Sequence, residues 1–404
     1  MIDILSKEDC CGCTACQQIC PQRCIKMEAD SEGFLYPKVD ISLCINCGVC
    51  EKVCPVKNRF SSASQPESYA ARTLDEELRS SSSSGGIFTV VASKVIEENG
   101  VVFGARFADD WSIIHDYTES LGGLNLFRGS KYVQSKLGNT YSTIRNFLSK
   151  GRLVLFSGTP CQVSGLKHYL RKDYSNLYTI DMVCHSISSP KTWKLYLEEL
   201  DINKDFTYIT FREKEYCGWR NYGIRIDKIN TSGGKQNIKL EGHIGKTANI
   251  YMRGFLENLT TRPSCFACPA RCYTSGSDLM IADFWHLDKY HPDWDDDKGM
   301  SEVLLITDKG KKLFNSIKES IFCHPIPYEE VEDHGIHAPI TSSTKPHRYR
   351  KAFFKYLKDE KISEQIHHYL RKNDIRNTFI SQLKNIGRFF GLHYIKRMIC
   401  KTKK

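Results

Sequence analysis

The sequence predicts a small α+β module at the N-terminus, an α/β core with a mixed sheet behind it, and a helical C-terminal tail. The run C-x2-C-x2-C-x3-C-P occurs twice within 58 residues, as Cys10, Cys13, Cys16, Cys20-Pro21 and as Cys44, Cys47, Cys50, Cys54-Pro55. From residue 101 onward, apolar strand-length runs end in polar or Gly-containing turns that feed helix-length segments, the pattern of an α/β sheet. After Ser343 the chain becomes strongly basic, with apolar residues at helical spacing.

The cysteine runs have the spacing of a bacterial ferredoxin with two cubane clusters. Three thiolates two residues apart lie on a loop curling round one corner of a cube, and the fourth points away to the other cluster. Cys10, Cys13, Cys16 and Cys54 are thereby assigned to one 4Fe-4S centre, and Cys44, Cys47, Cys50 and Cys20 to the second. The proline after each fourth cysteine fixes the turn and removes a competing N–H donor. CxxC pairs also serve zinc, but two complete copies with both prolines favour clusters. Cys11 and Cys24 fall outside the runs and read as packing residues, because eight ligands are already supplied.

At 404 residues, with 41% hydrophobic and 26% charged residues, the chain has the size of two or three folded domains. Its 18 cysteines do not read as a secreted disulfide scaffold: the first residues lack the regions of a signal peptide, and cluster thiolates need a reducing compartment. A cytoplasmic location is expected. No apolar run reaches the roughly 18 residues that span a bilayer. The net charge of +10 is concentrated at the end: residues 345–404 hold 17 Lys+Arg against 4 Asp+Glu, whereas residues 1–344 hold 40 against 43.

In chain order, residues 1–58 form the ferredoxin module and residues 59–67 a polar linker. Residues 68–150 and 151–344 read as two parts of one domain, and residues 345–404 as the basic helical tail. A short strand is expected at Ser68–Arg72. Ser84-Gly85-Gly86 then closes a serine-rich loop before a helix, a chemistry suited to an anion. Val101–Phe107 and Trp111–Thr118 read as strands, and a helix is expected over Thr140–Ser149. Arg152–Ser157 is a buried strand that ends at Thr159-Pro160-Cys161-Gln162 and turns into a helix through Leu170. Leu177–Val183 ends similarly at Cys184-His185, before a helix capped by Ser189 with Pro190 at its first position. Such strand ends carry the ligands of α/β sheets. Antiparallel strands are expected at Phe206–Arg212 and Tyr222–Ile229, with Gly233-Gly234 as a turn. Cys265 and Cys268 form a further metal half-site, with Cys161 and Cys184 as best-placed partners and Cys272 as local competitor; the metal is a third 4Fe-4S cluster or zinc. Asp283 ends an apolar strand beside it. His185 and Asp283 are the candidate proton-handling groups.

Residues 81–107 (SSSSGGIFTVVASKVIEENGVVFGARF), 129–141 (GSKYVQSKLGNTY), 154–170 (VLFSGTPCQVSGLKHYL), 181–193 (DMVCHSISSPKTW) and 262–285 (RPSCFACPARCYTSGSDLMIADFW) together resemble the coenzyme F-420 hydrogenase/dehydrogenase beta-subunit family. The likeness covers roughly residues 1–320, with the two-cluster ferredoxin module in front. It implies FAD in the α/β core, an iron–sulfur cluster in the C-terminal half, and an oxidoreductase that switches between two-electron and one-electron carriers. By this resemblance Ser84, Gly85, Gly86, Lys131, Tyr132, Gln134, Thr159, Pro160 and Gln162 fall on flavin or substrate loops. Cys161, Cys184, Cys265 and Cys268 fall on the family's cysteine positions. Two family glycines are absent, since Cys184-His185 is followed by Ser186 and Asp283-Phe284-Trp285 by His286. Chains of this arrangement are also similar to proteins of surface-polysaccharide gene sets.

The partners expected are a ferredoxin-like or dehydrogenase-subunit redox protein and a deazaflavin or other small electron carrier. The other reading is a non-catalytic electron-relay subunit. Nucleic acid is not expected, for lack of any RRM, OB or zinc-finger pattern. Helices are expected at Tyr349–Lys372 and Ile375–Ile399. In the second, Phe379, Leu383, Ile386 and Phe390 alternate with Lys384, Arg388, Lys396 and Arg397, a pattern suited to peripheral contact with an anionic membrane surface.

Overall fold

The computed structural model describes residues 1–61, 65–201, 206–229, 235–242, 248–332, 340 and 343–372. The N-terminal module is built on an antiparallel hairpin of β1 (Ile25–Ala29) and β2 (Leu35–Val39), with short helices α1 (Ala15–Ile19) and α2 (Val49–Lys52). Both helices start from a left-handed residue, Thr14 at φ 62° and Gly48 at φ 71°, which curls each cysteine loop before its helix. Asp30 sets the hairpin turn by accepting from the N–H groups of Glu32 (3.0 Å) and Phe34 (2.9 Å).

The core is built on an eight-stranded mixed sheet. Its strands are β3 (Glu67–Thr73), β4 (Val101–Phe107), β5 (Ile113–Thr118), β6 (Val154–Gly158), β7 (Leu177–Met182), β11 (Leu279–Asp283), β12 (Ser301–Leu305) and β13 (Ile321–Pro325), in the order β13-β3-β12-β11-β7-β6-β4-β5. The central strands β11, β7, β6 and β4 run parallel, and both edges are antiparallel. Because β3 pairs with β12 and β13, the stretches before and after residue 150 close one sheet. Strand β6 is fully buried, as its unbroken apolar run requires when both faces are covered. Helices α3 (Glu76–Ser80) and α4 (Ile87–Glu97) follow β3, and α4 packs on one face of the sheet. Helices α5 (Thr140–Ser149) and α6 (Pro160–Leu170) cover the other face, and the ferredoxin module packs outside them through Cys11, Cys13, Ala15 and Val53.

Helix α7 (Pro190–Glu199) begins at Ser189, whose hydroxyl accepts from Lys191 N and Thr192 N, as its Ser-Pro start predicts. A three-stranded antiparallel sheet of β8 (Phe206–Glu213), β9 (Gly223–Ile229) and β10 (Lys235–Gly242) follows, then α8 (Ile250–Leu256). The expected Gly233-Gly234 turn lies outside the described residues. The expected helix Tyr349–Lys372 is divided: Arg350–Lys355 and residues 362–372 are helical, and residues between them are not. Ile362, Ile366 and Leu370 pack into the same core as α7 and α8, so this part of the tail belongs to the domain. The expected helix Ile375–Ile399 lies outside the described residues.

Candidate metal centre

Every described cysteine is a free thiol. Those of the N-terminal module divide as their spacing predicts. Cys20, Cys44, Cys47 and Cys50 line one cavity with Cys24, closed by Met1, Ile45 and Val39. Ile2 N donates to Cys50 Sγ (3.2 Å), and Cys20 and Cys24 approach to 3.4 Å between sulfurs. Cys10, Cys13, Cys16 and Cys54 form the other group, deeper and against the core. Burial raises the Cys10 and Cys16 thiols, and the Cys54 charge adds to the rise in both; neighbouring Cys11 lowers Cys13, but burial and the charges of Cys16 and Cys54 leave it raised as well. Buried thiols in mutual range cannot all ionise alone, whereas a bound cationic iron core removes the penalty. The donor set therefore fits a cluster.

A third cavity lies beyond the inner group, at the carboxyl ends of β6 and β7. It is lined by Cys161, Cys184, Cys265, Cys268, Cys272 and Cys11. Cys161 sits at the second position of α6, after a Thr159 cap whose amide donates to Gln162 Oε1 (2.9 Å). Cys184 follows β7. Cys265 and Cys268 lie on the short turn Pro263–Ala267 and its end. Burial, reinforced by Cys161 and Cys268, pushes the Cys265 thiol up to about 12. Cys184 is driven up by burial and by Cys265. Thus the four cysteines singled out by position do converge. Cys272 and Cys11 join them, and Cys11 lines the cavity instead of only filling space. Among the described residues, no three His, Cys, Asp or Glu side chains converge as a single ion demands; the thiols are instead spread around a volume.

A buried guanidinium, Arg262, and a half-buried one, Arg271, lie beside this cavity. Arg262, with no exposed surface, donates to Cys10 O, Leu35 O and Gln134 Oε1 (each 2.9 Å), and its cation lies 4.4 Å from the Tyr36 ring centre. It thereby ties the first cysteine loop and the β1–β2 hairpin of the ferredoxin module to the core. Its charge also counters the burial that raises Cys10 and Cys265. Arg271 donates to Cys184 O (3.0 Å) and opposes the rise of Cys184 and Cys268. Cations beside clustered thiols are what an anionic thiolate-ligated cluster requires. Sequence reasoning missed both arginines, which no spacing rule marks.

The residues expected on flavin loops are engaged otherwise. Ser84 Oγ donates to Met300 O (2.7 Å) and Gly85 N to Ser301 Oγ (3.0 Å), and a Cβ on Gly85 would stand 2.4 Å from Ala71 O. Gly86 (φ 83°) turns the chain into α4. Lys131 Nζ donates to three carbonyls, Leu126, Phe127 and Arg128. The Tyr132 hydroxyl accepts from Arg212 (3.1 Å). Gln134 donates to Cys11 O (3.2 Å) and accepts from Arg262. Thr159, Pro160 and Gln162 start α6, and Gln162 donates to Ser135 Oγ (2.9 Å). The side chains expected to face FAD are thus hydrogen-bonded within the chain.

His185 turns its ring edge-on to Phe255 (5.4 Å), and its buried Nε2 has no hydrogen-bond partner among the described residues. Burial lowers its pKa, so the imidazole is neutral. Asp283 accepts a bidentate pair from Arg212 (2.9 and 2.7 Å) and a bond from Trp219 Nε1 (2.8 Å). Burial alone would raise this carboxyl, but Arg212 and Trp219 outweigh it and hold it below the usual range. Asp283 is therefore the counter-ion of a buried cation, and the expected proton-handling role does not suit it.

Thiol sites of this kind, two of them on ferredoxin spacing, define an iron–sulfur electron-transfer protein. Residues 9–58 match the 4Fe-4S dicluster domain family. Residues 151–330 match the family of the C-terminal part of the coenzyme F420 hydrogenase/dehydrogenase beta subunit. No curated protein matches the chain. Among solved structures, the xenon-derivatised F420-reducing [NiFe] hydrogenase complex from Methanosarcina barkeri contains a chain that is 15% identical, with a TM-score of 0.42 over 79% of this chain and 94% of that one. No described helix is long and apolar enough to cross a membrane.

Proposed function

We propose that this protein is an electron conduit with three cluster sites in line, serving an oxidoreductase reaction between a redox partner protein and a two-electron organic carrier such as a deazaflavin. The observation that carries it is the third thiol-lined cavity directly behind the inner ferredoxin group, reached through Cys11. When bound, 4Fe-4S clusters supply one-electron redox couples at these places.

The chain's own residues divide the work. Cys20, Cys44, Cys47 and Cys50 hold the outer site, where Cys47 is exposed and a partner can approach. Cys10, Cys13, Cys16 and Cys54 hold the inner site away from water. Cys161, Cys184, Cys265 and Cys268 hold the core site. Arg262 and Arg271 supply the compensating charge.

FAD is the group the family resemblance offers for two-electron exchange. Because its expected loops are internally hydrogen-bonded, no step is assigned to it, and this favours the relay-subunit reading over a self-sufficient reductase. The two separate on flavin content after anaerobic purification: a reductase carries stoichiometric flavin and reduces an artificial acceptor from its carrier, and a relay does neither. A place in surface-polysaccharide synthesis and a peripheral membrane position rest on the resemblance and the basic tail. Flotation with anionic liposomes tests the latter, and equal binding with and without residues 345–404 would remove it.

A further inference from the structure

Eight cysteines suffice for the ferredoxin sites and four for the core site, yet Cys11 stands where the inner group and the core cavity meet. It is buried, lines the core cavity beside Cys161, and packs with Cys13 on α5 and α6. Its thiol lies beside those of Cys13 and Cys161, one from each neighbouring group. The backbone around it is held from the core side. Arg262 Nε donates to Cys10 O and Gln134 Nε2 to Cys11 O. Gly12 at φ 71° allows this approach, since a Cβ there would stand 2.6 Å from Gln134 Nε2. With Cys10 and Cys13 turned to the inner site, the clamp directs the intervening thiol at the core.

Resting on the three-site reading above, we propose that Cys11 is a non-ligating bridge: its thiol donates a hydrogen bond to ligand sulfur at the junction of the inner and core sites and couples the two. The electron exchanged between the sites is single, and Cys11 neither gains nor loses an electron, nor does it release its proton. Hydrogen bonds to cluster sulfurs raise reduction potentials by stabilising the more negative state. Removing this donor therefore lowers the potential of at least one of the two neighbouring centres, and the outer site is unaffected.

The test compares the full-length protein with Cys11→Ala and Cys11→Ser, purified without oxygen. Iron and sulfide are counted, and each centre is followed by EPR during a dithionite redox titration. The expected result is the same iron content in all three, a potential shifted downward in Cys11→Ala only for the inner or core centre, and recovery of most of the shift in Cys11→Ser, whose hydroxyl still donates. Loss of about four irons per chain, one cubane's content, in both variants would make Cys11 a ligand and overturn the proposal. Unchanged potentials in Cys11→Ala would reduce it to a packing residue. A wild-type protein holding only about eight irons, two cubanes, would instead remove the three-site reading itself.

Discussion

The two ferredoxin sites share one cysteine spacing and meet opposite surroundings. The inner group has Cys10, Cys13 and Cys54 buried, α6 against it at Gly165, and Arg262 behind it. The outer group has Cys47 exposed and borders a loop on which Ile41, Leu43 and Ile45 are 72%, 55% and 61% exposed. The run of four cysteines makes a site, and its neighbours decide whether that site faces the core or a partner. What distinguishes the two is one buried arginine, Arg262, and one helix glycine, Gly165.

The strongest way to break this comparison is Arg262→Met. It removes the side-chain donor to the carbonyls of Cys10 and Leu35 and the buried charge beside Cys10 and Cys265. The expected cost is about 2–5 kcal/mol, and limited proteolysis should then release the module at residues 59–67 while the outer iron stays bound. Equal loss from both ferredoxin sites would contradict the asymmetry. Metal removal comes next. An iron chelator applied anaerobically to the wild type should strip about four irons, one cubane, from the exposed outer site well before the rest, as followed by EPR. Gly165→Ala sharpens the comparison from the core side. Its Cβ would stand 2.8 Å from Cys13 Cβ and 2.9 Å from the Tyr141 hydroxyl, so thermal unfolding should register about 1–3 kcal/mol of overpacking, with the inner EPR signal perturbed and the outer one intact. The smallest effect is expected from Cys24→Ala. This buried thiol touches Cys20 but supplies no fifth ligand, so iron content should hold and stability should fall by about 1 kcal/mol.

The grouping of the eight ferredoxin-run cysteines was legible because a repeated spacing encodes local loop geometry. The strand–turn–helix units at Cys161 and Cys184 were legible too: a largely apolar strand-length run marks each strand, and Thr-Pro or Ser-Pro marks each helix start. Cys11 read as filler, because spacing along the chain does not report which wall of another domain a thiol faces. Its one signal was a cysteine doublet inside an otherwise regular run. Arg262 and Arg271 carried no signal, since their partners are backbone carbonyls, which every sequence has. Lys131, Gln134 and Gln162 were polar residues at promising loops, and their hydrogen bonds turned out to be spent on closing those loops. The tail helix was read through Lys358-Asp359, where residues 356–361 leave the helix before the chain packs back through Ile362.

The most direct test is the iron, sulfide, zinc and flavin content of the protein purified without oxygen. Three thiol sites in line predict about twelve irons and matching sulfide per chain, three cubanes, with no zinc. About eight irons with zinc beside them would mean that the cavity of Cys161, Cys184, Cys265 and Cys268 is no cluster site, and the line of three would end at the inner ferredoxin centre.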